Sequence, residues 1–197
     1  MNDNVLFLGK FLSQITRGNP IASLAPSSRW LARTTIRNID WSTTRSVVEL
    51  GAGTGPITRA ILERAHPDCR VLVVERDPDF LRLLRDRFRE RPNLEILEGD
   101  ARELAGILAD RGLDRVDHVI SGLPFPSFRK EQQRALMRSV RSVLQSGGSY
   151  NQITELALIY WPLYRRYFER VEFAFEPRNI PPSGAYICRD PREVDGS

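Results

Sequence analysis

From Ser46 onward the chain alternates short apolar runs with longer amphipathic stretches. The runs are rich in valine and isoleucine, and Val71-Leu72-Val73-Val74 is apolar at successive positions, as a strand buried on both faces of a parallel sheet should be. This spacing predicts strands over Ser46–Leu50, Arg70–Glu75, Leu94–Leu97, His118–Ser121 and Ser149–Thr154, with later strands near Arg170–Phe175 and Ala185–Arg189. Between the first five it predicts helices near Ile57–Ala65, Pro78–Arg89, Ala101–Asp110 and Lys130–Leu144. Such alternation builds βαβ units. Pro177, Pro181 and Pro182 forbid a helix between the last two strands and favour an antiparallel return at the sheet edge. The expected fold is α/β: a seven-stranded sheet with helices on both faces and its last strand antiparallel.

The first 45 residues follow a different pattern. Val5, Leu6, Phe7, Leu8, Phe11, Leu12 and Ile15 read as a short helix in which all but Leu6 fall within roughly a 160° arc. Lys10, Ser13, Gln14 and Arg17 face the other way, and Gly18-Asn19-Pro20 ends the helix. In Ala25-Pro26-Ser27-Ser28 a serine can cap a second helix over about Arg29 to Ile36. The division predicted is residues 1–45 as a helical, cationic segment and 46–197 as the globular domain.

Charge sharpens that division. The net charge of +4 sits entirely in residues 1–45, where six basic side chains (Lys10, Arg17, Arg29, Arg33, Arg37, Arg45) face Asp3 and Asp40. All basic residues except Lys10 and Lys130 are arginines, whose planar fork bonds two phosphate oxygens at once. An amphipathic helix with apolar residues on one side and cations on the other can lie in the interface of an anionic bilayer, or pack as a lid on the sheet. No run of about 18 apolar residues occurs, and the N-terminus lacks the order of charge, apolar core and small residues of a signal peptide. The expectation is a cytoplasmic protein associated peripherally with the inner face of the cell membrane. Cys69 and Cys188 have neither a C-x-x-C spacing nor nearby histidines, so no metal site is expected.

The candidate chemistry begins after the first strand, in Glu49-Leu50-Gly51-Ala52-Gly53-Thr54-Gly55. Glycines there let the backbone turn sharply and approach a ligand, and Pro56 occupies the first helical turn, where its missing N–H costs nothing. The spacing departs from the G-x-G-x-x-G of nicotinamide-binding folds, and no lysine of a triphosphate loop follows. Glu75 ends the second strand, where a carboxylate can accept both hydroxyls of a ribose. The third strand ends in Glu98-Gly99-Asp100-Ala101, which adds a second carboxylate at the same edge.

These residues resemble the class I S-adenosylmethionine-dependent methyltransferases, which have a Rossmann-like sheet, over about Ser46 to Thr154. The resemblance implies S-adenosylmethionine as cofactor. Gly51, Ala52, Gly53, Thr54 and Gly55 would border its methionine part, Glu49 would sit beneath the loop near its amino group, and Glu75 would bind its ribose. Arg76 would lie beside the adenine, Gly99, Asp100 and Ala101 at its exocyclic amine, and Ser121 would also border the cofactor.

After the fourth strand the chain runs Ser121-Gly122-Leu123-Pro124-Phe125-Pro126-Ser127-Phe128. Ser121–Pro124 resembles the Asn/Asp-Pro-Pro-Tyr or Asn-Leu-Pro-Tyr tetrad with which N-methyltransferases hold a target amine, with serine in place of the longer asparagine. Phe7–Leu12, Ala25–Leu31, Ser121–Pro124, Gly147-Gly148 through Gln152-Ile153-Thr154, and Arg178-Asn179-Ile180-Pro181-Pro182 together resemble bacterial phospholipid N-methyltransferases, which methylate phosphatidylethanolamine. Glu155 stands where that family has an aromatic residue.

The implied reaction is methyl transfer to the amine of phosphatidylethanolamine, and possible further methylation of its derivatives, at a membrane surface bound through residues 1–45. Backbone carbonyls of Ser121, Gly122, Leu123 and Pro124 would orient the amine, with Glu155 or a water taking its proton. Tyr160 and Trp161, with Tyr164 and Tyr167 nearby, could wall a methylated nitrogen, and Arg178 could grip the lipid phosphate. The competing readings are an rRNA adenine-N6 methyltransferase, a small-molecule amine N-methyltransferase, and a protein that binds cofactor without turnover. The chain ends soon after its last strand, which argues against an appended RNA-binding domain and against nucleic acid as partner. No obligate protein partner is evident.

Overall fold

The computed structural model describes residues 28–154 and 159–192. The amphipathic helix expected over Val5–Ile15 and the candidate proton acceptor Glu155 lie outside the described residues.

The Ser28 hydroxyl accepts from the Leu31 N–H at 3.2 Å and so caps α1 (Arg29–Thr35). Seven strands follow: β1 (Ser46–Leu50), β2 (Arg70–Glu75), β3 (Leu94–Glu98), β4 (Val116–Ser121), β5 (Leu144–Thr154), β6 (Phe168–Glu176) and β7 (Ser183–Pro191). The helices between them are α2 (Pro56–Leu62), α3 (Pro78–Arg87), α4 (Leu104–Ala109), α5 (Lys130–Val143) and α6 (Trp161–Tyr164). Helix α4 is entered through a 3-10 turn at Ala101–Glu103 capped by Asp100.

The strands order as β3-β2-β1-β4-β5-β7-β6. The first five are parallel, and β7 runs antiparallel to both β5 and β6. The final hairpin therefore inserts its second arm beside β5, and β6 becomes the outer edge among the described strands. Where β6 alternates buried and exposed residues, β7 is buried over most of its length. That is the burial an inserted strand requires.

Each face of the sheet carries its own core. Val47, Val71, Val73 and Ile120 point to one face, with Ala32, Ile57, Ile61 and Leu84 of α1, α2 and α3. Val48, Leu50, Leu72, Val74, Val119 and Tyr150 point to the other, with Leu104, Leu108, Leu136, Met137, Val140 and Tyr164 of α4, α5 and α6. Fully burying one such aliphatic side chain contributes about 1.5–3 kcal/mol, so these layers set the sheet's position rigidly.

The strand order reverses between β1 and β4, and ligands of open α/β sheets bind beyond the carboxyl ends of the strands at that point. The loops after β1 and β4 meet there.

Candidate active site

Gly51, Gly53 and Gly55 take φ values of +69°, +54° and +82°, left-handed geometry that other residues adopt only with strain. The loop is pinned from several sides. Gly51 N–H donates to the Val74 carbonyl at 2.9 Å, Gly53 N–H to Glu75 Oε2 at 3.1 Å, and Arg87 of α3 to the Thr54 carbonyl. Ala52 and Thr54 are buried. A Cβ placed on Gly53 would meet nothing within 4 Å, so the loop opens onto free space.

Glu49 lies under this loop, fully buried. Its Oε2 accepts from the Thr58 hydroxyl at 2.6 Å, while Oε1 has no partner among the described residues. Burial, opposed by the Thr58 bond and assisted by the Glu75 charge, pushes its carboxyl up to about 8. A buried acceptor without a donor beneath a glycine loop fits a cofactor that brings a cationic amino group.

Glu75 and Asp100 stand at the ends of neighbouring strands, with Glu75 opposite Glu98 and Gly99 N–H bonded to the Glu75 carbonyl at 3.1 Å. Glu75 Oε1 accepts from the N–H groups of Arg76 and Asp77, so its carboxylate is held by backbone from two loops. Asp100 Oδ1 accepts from Arg102 N–H and Nε, each at 2.9 Å. The Arg102 partnership, with the nearby Arg76 charge, holds the Asp100 carboxyl below the usual range. Ala101 is buried behind it. The glycine loop, the orphaned Glu49 oxygen and the two carboxylates at one edge fit S-adenosylmethionine.

The loop after β4 packs directly on the glycine loop. Gly122 N–H donates to the Leu50 carbonyl at 2.9 Å, and a Cβ at Gly122 would lie 2.6 Å from the Gly51 carbonyl oxygen. Only glycine permits that approach. A Cβ at Gly51 would in turn meet the Leu123 side chain at 2.5 Å.

Ser121 is fully buried, and its hydroxyl accepts from Leu123 N–H at 3.3 Å. The carbonyls expected to face a substrate are partly engaged. Gln152 Nε2 donates to Ser121 O at 3.2 Å and to Leu123 O at 2.8 Å, and Leu123 O also accepts from Phe125 N–H. Pro124 O accepts from Ser127 N–H at 2.9 Å. Gly122 O takes no such bond among the described residues.

Gln152 was not singled out as a site residue from sequence. It is fully buried on β5, and Tyr150 donates its hydroxyl to Gln152 Oε1 at 2.5 Å. The available signal was a run of polar side chains, Asn151 and Gln152, inside a strand that otherwise reads as core. Gln133 of α5 performs a second unforeseen task, donating to the carbonyls of Phe125, Pro126 and Phe128.

The aromatic candidates divide. Tyr164 is fully buried, stacks on Phe125 at 5.6 Å and tilts on Tyr186 at 4.6 Å, and its hydroxyl lacks a partner among the described residues. Tyr167 is buried as well. Tyr160 and Trp161 are half-buried, the first donating its N–H to the Tyr186 hydroxyl at 3.2 Å and the second meeting the Tyr186 ring edge-on. Arg178 lies on the β6–β7 turn, with Nε and one terminal nitrogen closed on Glu176 at 2.7 and 2.8 Å. Its guanidinium also covers the Trp30 ring at 4.2 Å.

Residues 47–148 match a family described as a methyltransferase domain. The chain is 60% identical over 193 residues to an ornithine lipid N-methyltransferase of Singulisphaera acidiphila, covering 98% of this chain and 99% of the relative. A probable ribosomal RNA small subunit methyltransferase A of Methanococcoides burtonii is 35% identical over 79 residues, 40% of this chain and 26% of the relative. Among solved structures, Aeropyrum pernix fibrillarin with bound S-adenosylmethionine superposes with a TM-score of 0.55 at 20% identity, covering 73% of this chain and 66% of that one. A glycopeptide N-methyltransferase complexed with S-adenosylmethionine gives 0.55 at 19% identity, over 88% and 72%. These two share the fold. With its matched domain, cofactor loop and full-length relative, the chain belongs to the methyltransferase-domain family, as an S-adenosylmethionine-dependent N-methyltransferase.

Proposed function

We propose that this enzyme methylates the amine of a lipid headgroup at a membrane surface, with an ornithine-bearing lipid as the preferred acceptor. The observation that carries this reading is the 60% identity to an ornithine lipid N-methyltransferase over nearly the whole of both chains. Phosphatidylethanolamine is the second reading, supported by the resemblance of Ser121–Pro124 and the C-terminal hairpin to phospholipid N-methyltransferases. The Arg178 fork, closed on Glu176, favours the first, because an ornithine headgroup without phosphate needs no phosphate grip. The match to a ribosomal RNA methyltransferase covers 40% of this chain and 26% of that relative, too little to carry its substrate over.

S-adenosylmethionine supplies a methyl group already activated on a sulfonium, so alignment of the acceptor is the protein's main task. Gly122 O is the acceptor-loop carbonyl left to receive an amine N–H. The bonds from Gln152 and Phe125 N–H hold the rest of that loop still. An aliphatic amine is mostly protonated at neutral pH and must lose a proton before it attacks. Glu155, one residue beyond β5, or a water takes that proton in this reading. Tyr160 and Trp161 offer ring faces to a nitrogen that gains permanent charge on methylation. Residues 1–45 hold the protein on an anionic bilayer on the cytoplasmic side.

The test is methyl transfer from labelled S-adenosylmethionine into vesicles containing either ornithine lipid or phosphatidylethanolamine, with lipid products separated by chromatography. Faster transfer to ornithine lipid is expected. Equal or faster labelling of phosphatidylethanolamine reverses the order of the two readings, and labelling of neither removes the lipid. A chain lacking residues 1–19 should bind and methylate vesicles less well than the full chain. Equal performance ends the role assigned to the N-terminal segment.

A further inference from the structure

The tip of the β6–β7 hairpin displays Ile180 with 87% of its surface exposed, while its neighbours are carefully bonded. Asn179 is buried and spends its polar atoms inside the turn. Its Nδ2 donates to Pro181 O at 2.8 Å and Ser183 Oγ at 2.9 Å, and its Oδ1 accepts from Ser28 N–H at 3.3 Å. The turn is therefore fixed in shape and fastened to the start of α1. A fixed turn that presents a large aliphatic side chain to solvent forgoes the stabilisation that burying it would contribute.

The surroundings are cationic and amphipathic. Trp30 lies beneath two guanidinium groups, with Arg178 at 4.2 Å and Arg29 at 4.6 Å from its ring. One carboxylate, Glu176, is paired with Arg178, and Arg29 adds a positive charge beyond that balance.

Position completes the picture. Strand β6 runs parallel to β1 and β4, so its carboxyl end and the turn lie at the sheet edge that carries the glycine and acceptor loops. We propose that Ile180, Trp30 and Arg29 form a docking surface for an anionic lipid bilayer, which seats the active-site edge on the membrane. The proposal rests on the lipid-acceptor reading and adds to it a second contact, independent of the first 27 residues. An aliphatic tip enters the acyl boundary, tryptophan suits the headgroup level, and arginine meets lipid phosphate.

The experiment is co-sedimentation of the full-length protein with phosphatidylcholine vesicles doped with phosphatidylglycerol, comparing wild type, Ile180→Asp and Ile180→Asp/Arg29→Glu. Thermal unfolding and calorimetric S-adenosylmethionine binding report on integrity, and both should match wild type. Binding should fall about tenfold for the single variant, from lost apolar insertion, and about fivefold further for the double variant. Vesicle-bound ornithine lipid should be methylated correspondingly more slowly. Unchanged vesicle binding by both folded variants overturns the docking surface while leaving lipid methylation intact. If wild type dimerises and Ile180→Asp is monomeric with undiminished vesicle binding, the face is a contact between copies and the proposal falls. Absence of wild-type vesicle binding, with ornithine lipid unmethylated, overturns the lipid reading and this one together.

Discussion

The Gln152 side-chain amide donates to the Leu123 carbonyl at 2.8 Å, fastening β5 to the loop that follows β4. The same nitrogen reaches Ser121 O, and Tyr150 fixes the amide's orientation from the other end. Gln152→Ala should leave these carbonyls without their donor and release the loop, costing about 1–3 kcal/mol in stability. A shift of the acceptor loop by about 1 Å should lower kcat roughly 100-fold. Cofactor affinity should change far less than turnover, because Gln152 makes no bond to the glycine loop, Glu75 or Asp100. Steady-state kinetics with calorimetry separates these effects, and Gln152→Glu should not rescue turnover, since a carboxylate repels both carbonyls. Tyr150→Phe, which removes one bond, should fall between.

Two glycine substitutions should fail in different ways. Gly122→Ala drives a methyl to 2.6 Å from the Gly51 carbonyl, a backbone atom that cannot swing aside. It should cost about 1–3 kcal/mol and lower the melting temperature without any ligand. Gly53→Ala meets nothing within 4 Å, so its cost is confined to the strain of φ +54°, about 1–2 kcal/mol. Its methyl enters the open space above the loop and should weaken S-adenosylmethionine binding more than its stability loss accounts for. Calorimetry beside thermal unfolding reads both.

Asp100→Ala should weaken cofactor affinity by roughly 1–3 kcal/mol through loss of a charge-assisted bond. Because Asp100 also caps the turn before α4, Asp100→Asn is the sharper variant: it retains the cap and removes the charge. Arg102→Ala, which frees the carboxylate from its ion pair, should leave affinity equal or tighter. If calorimetry finds Asp100→Ala binding as tightly as wild type, Asp100 is not at the cofactor.

Glu49 makes a pH-dependent prediction. Its carboxyl titrates near 8 in the folded chain against 4.5 for an ordinary glutamate, so the folded state keeps a proton that the unfolded state has released. Stability is then lost as pH rises through that window. Glu49→Gln cannot lose a proton, so its melting temperature should gain on wild type steadily between about pH 5 and pH 8. A constant difference across that range would show that Glu49 is not held protonated.

Much of this protein could be read from its sequence. Five of the strands and the helices between them carry their own periodicity, and β1 and β2 begin and end where the apolar runs do. Buried parallel strands leave an unbroken apolar run, and glycine, proline and caps mark the turns. The cofactor was equally readable, because Gly51–Gly55 and the strand-end carboxylates are local features whose spacing carries their chemistry. Tertiary structure alone decided which partners these groups acquire. The insertion of β7 between β5 and β6, the bond from the Thr34 hydroxyl to Glu176, and the Gln152 bonds to Ser121 and Leu123 each join residues brought together by the sheet. Local pattern reports a residue's burial and conformation, whereas a hydrogen bond between distant segments depends on strand order and register. The glycine loop could therefore name the cofactor before the fold was known, whereas the loop after β4 takes its shape from the glycine loop, β5 and α5 packed around it.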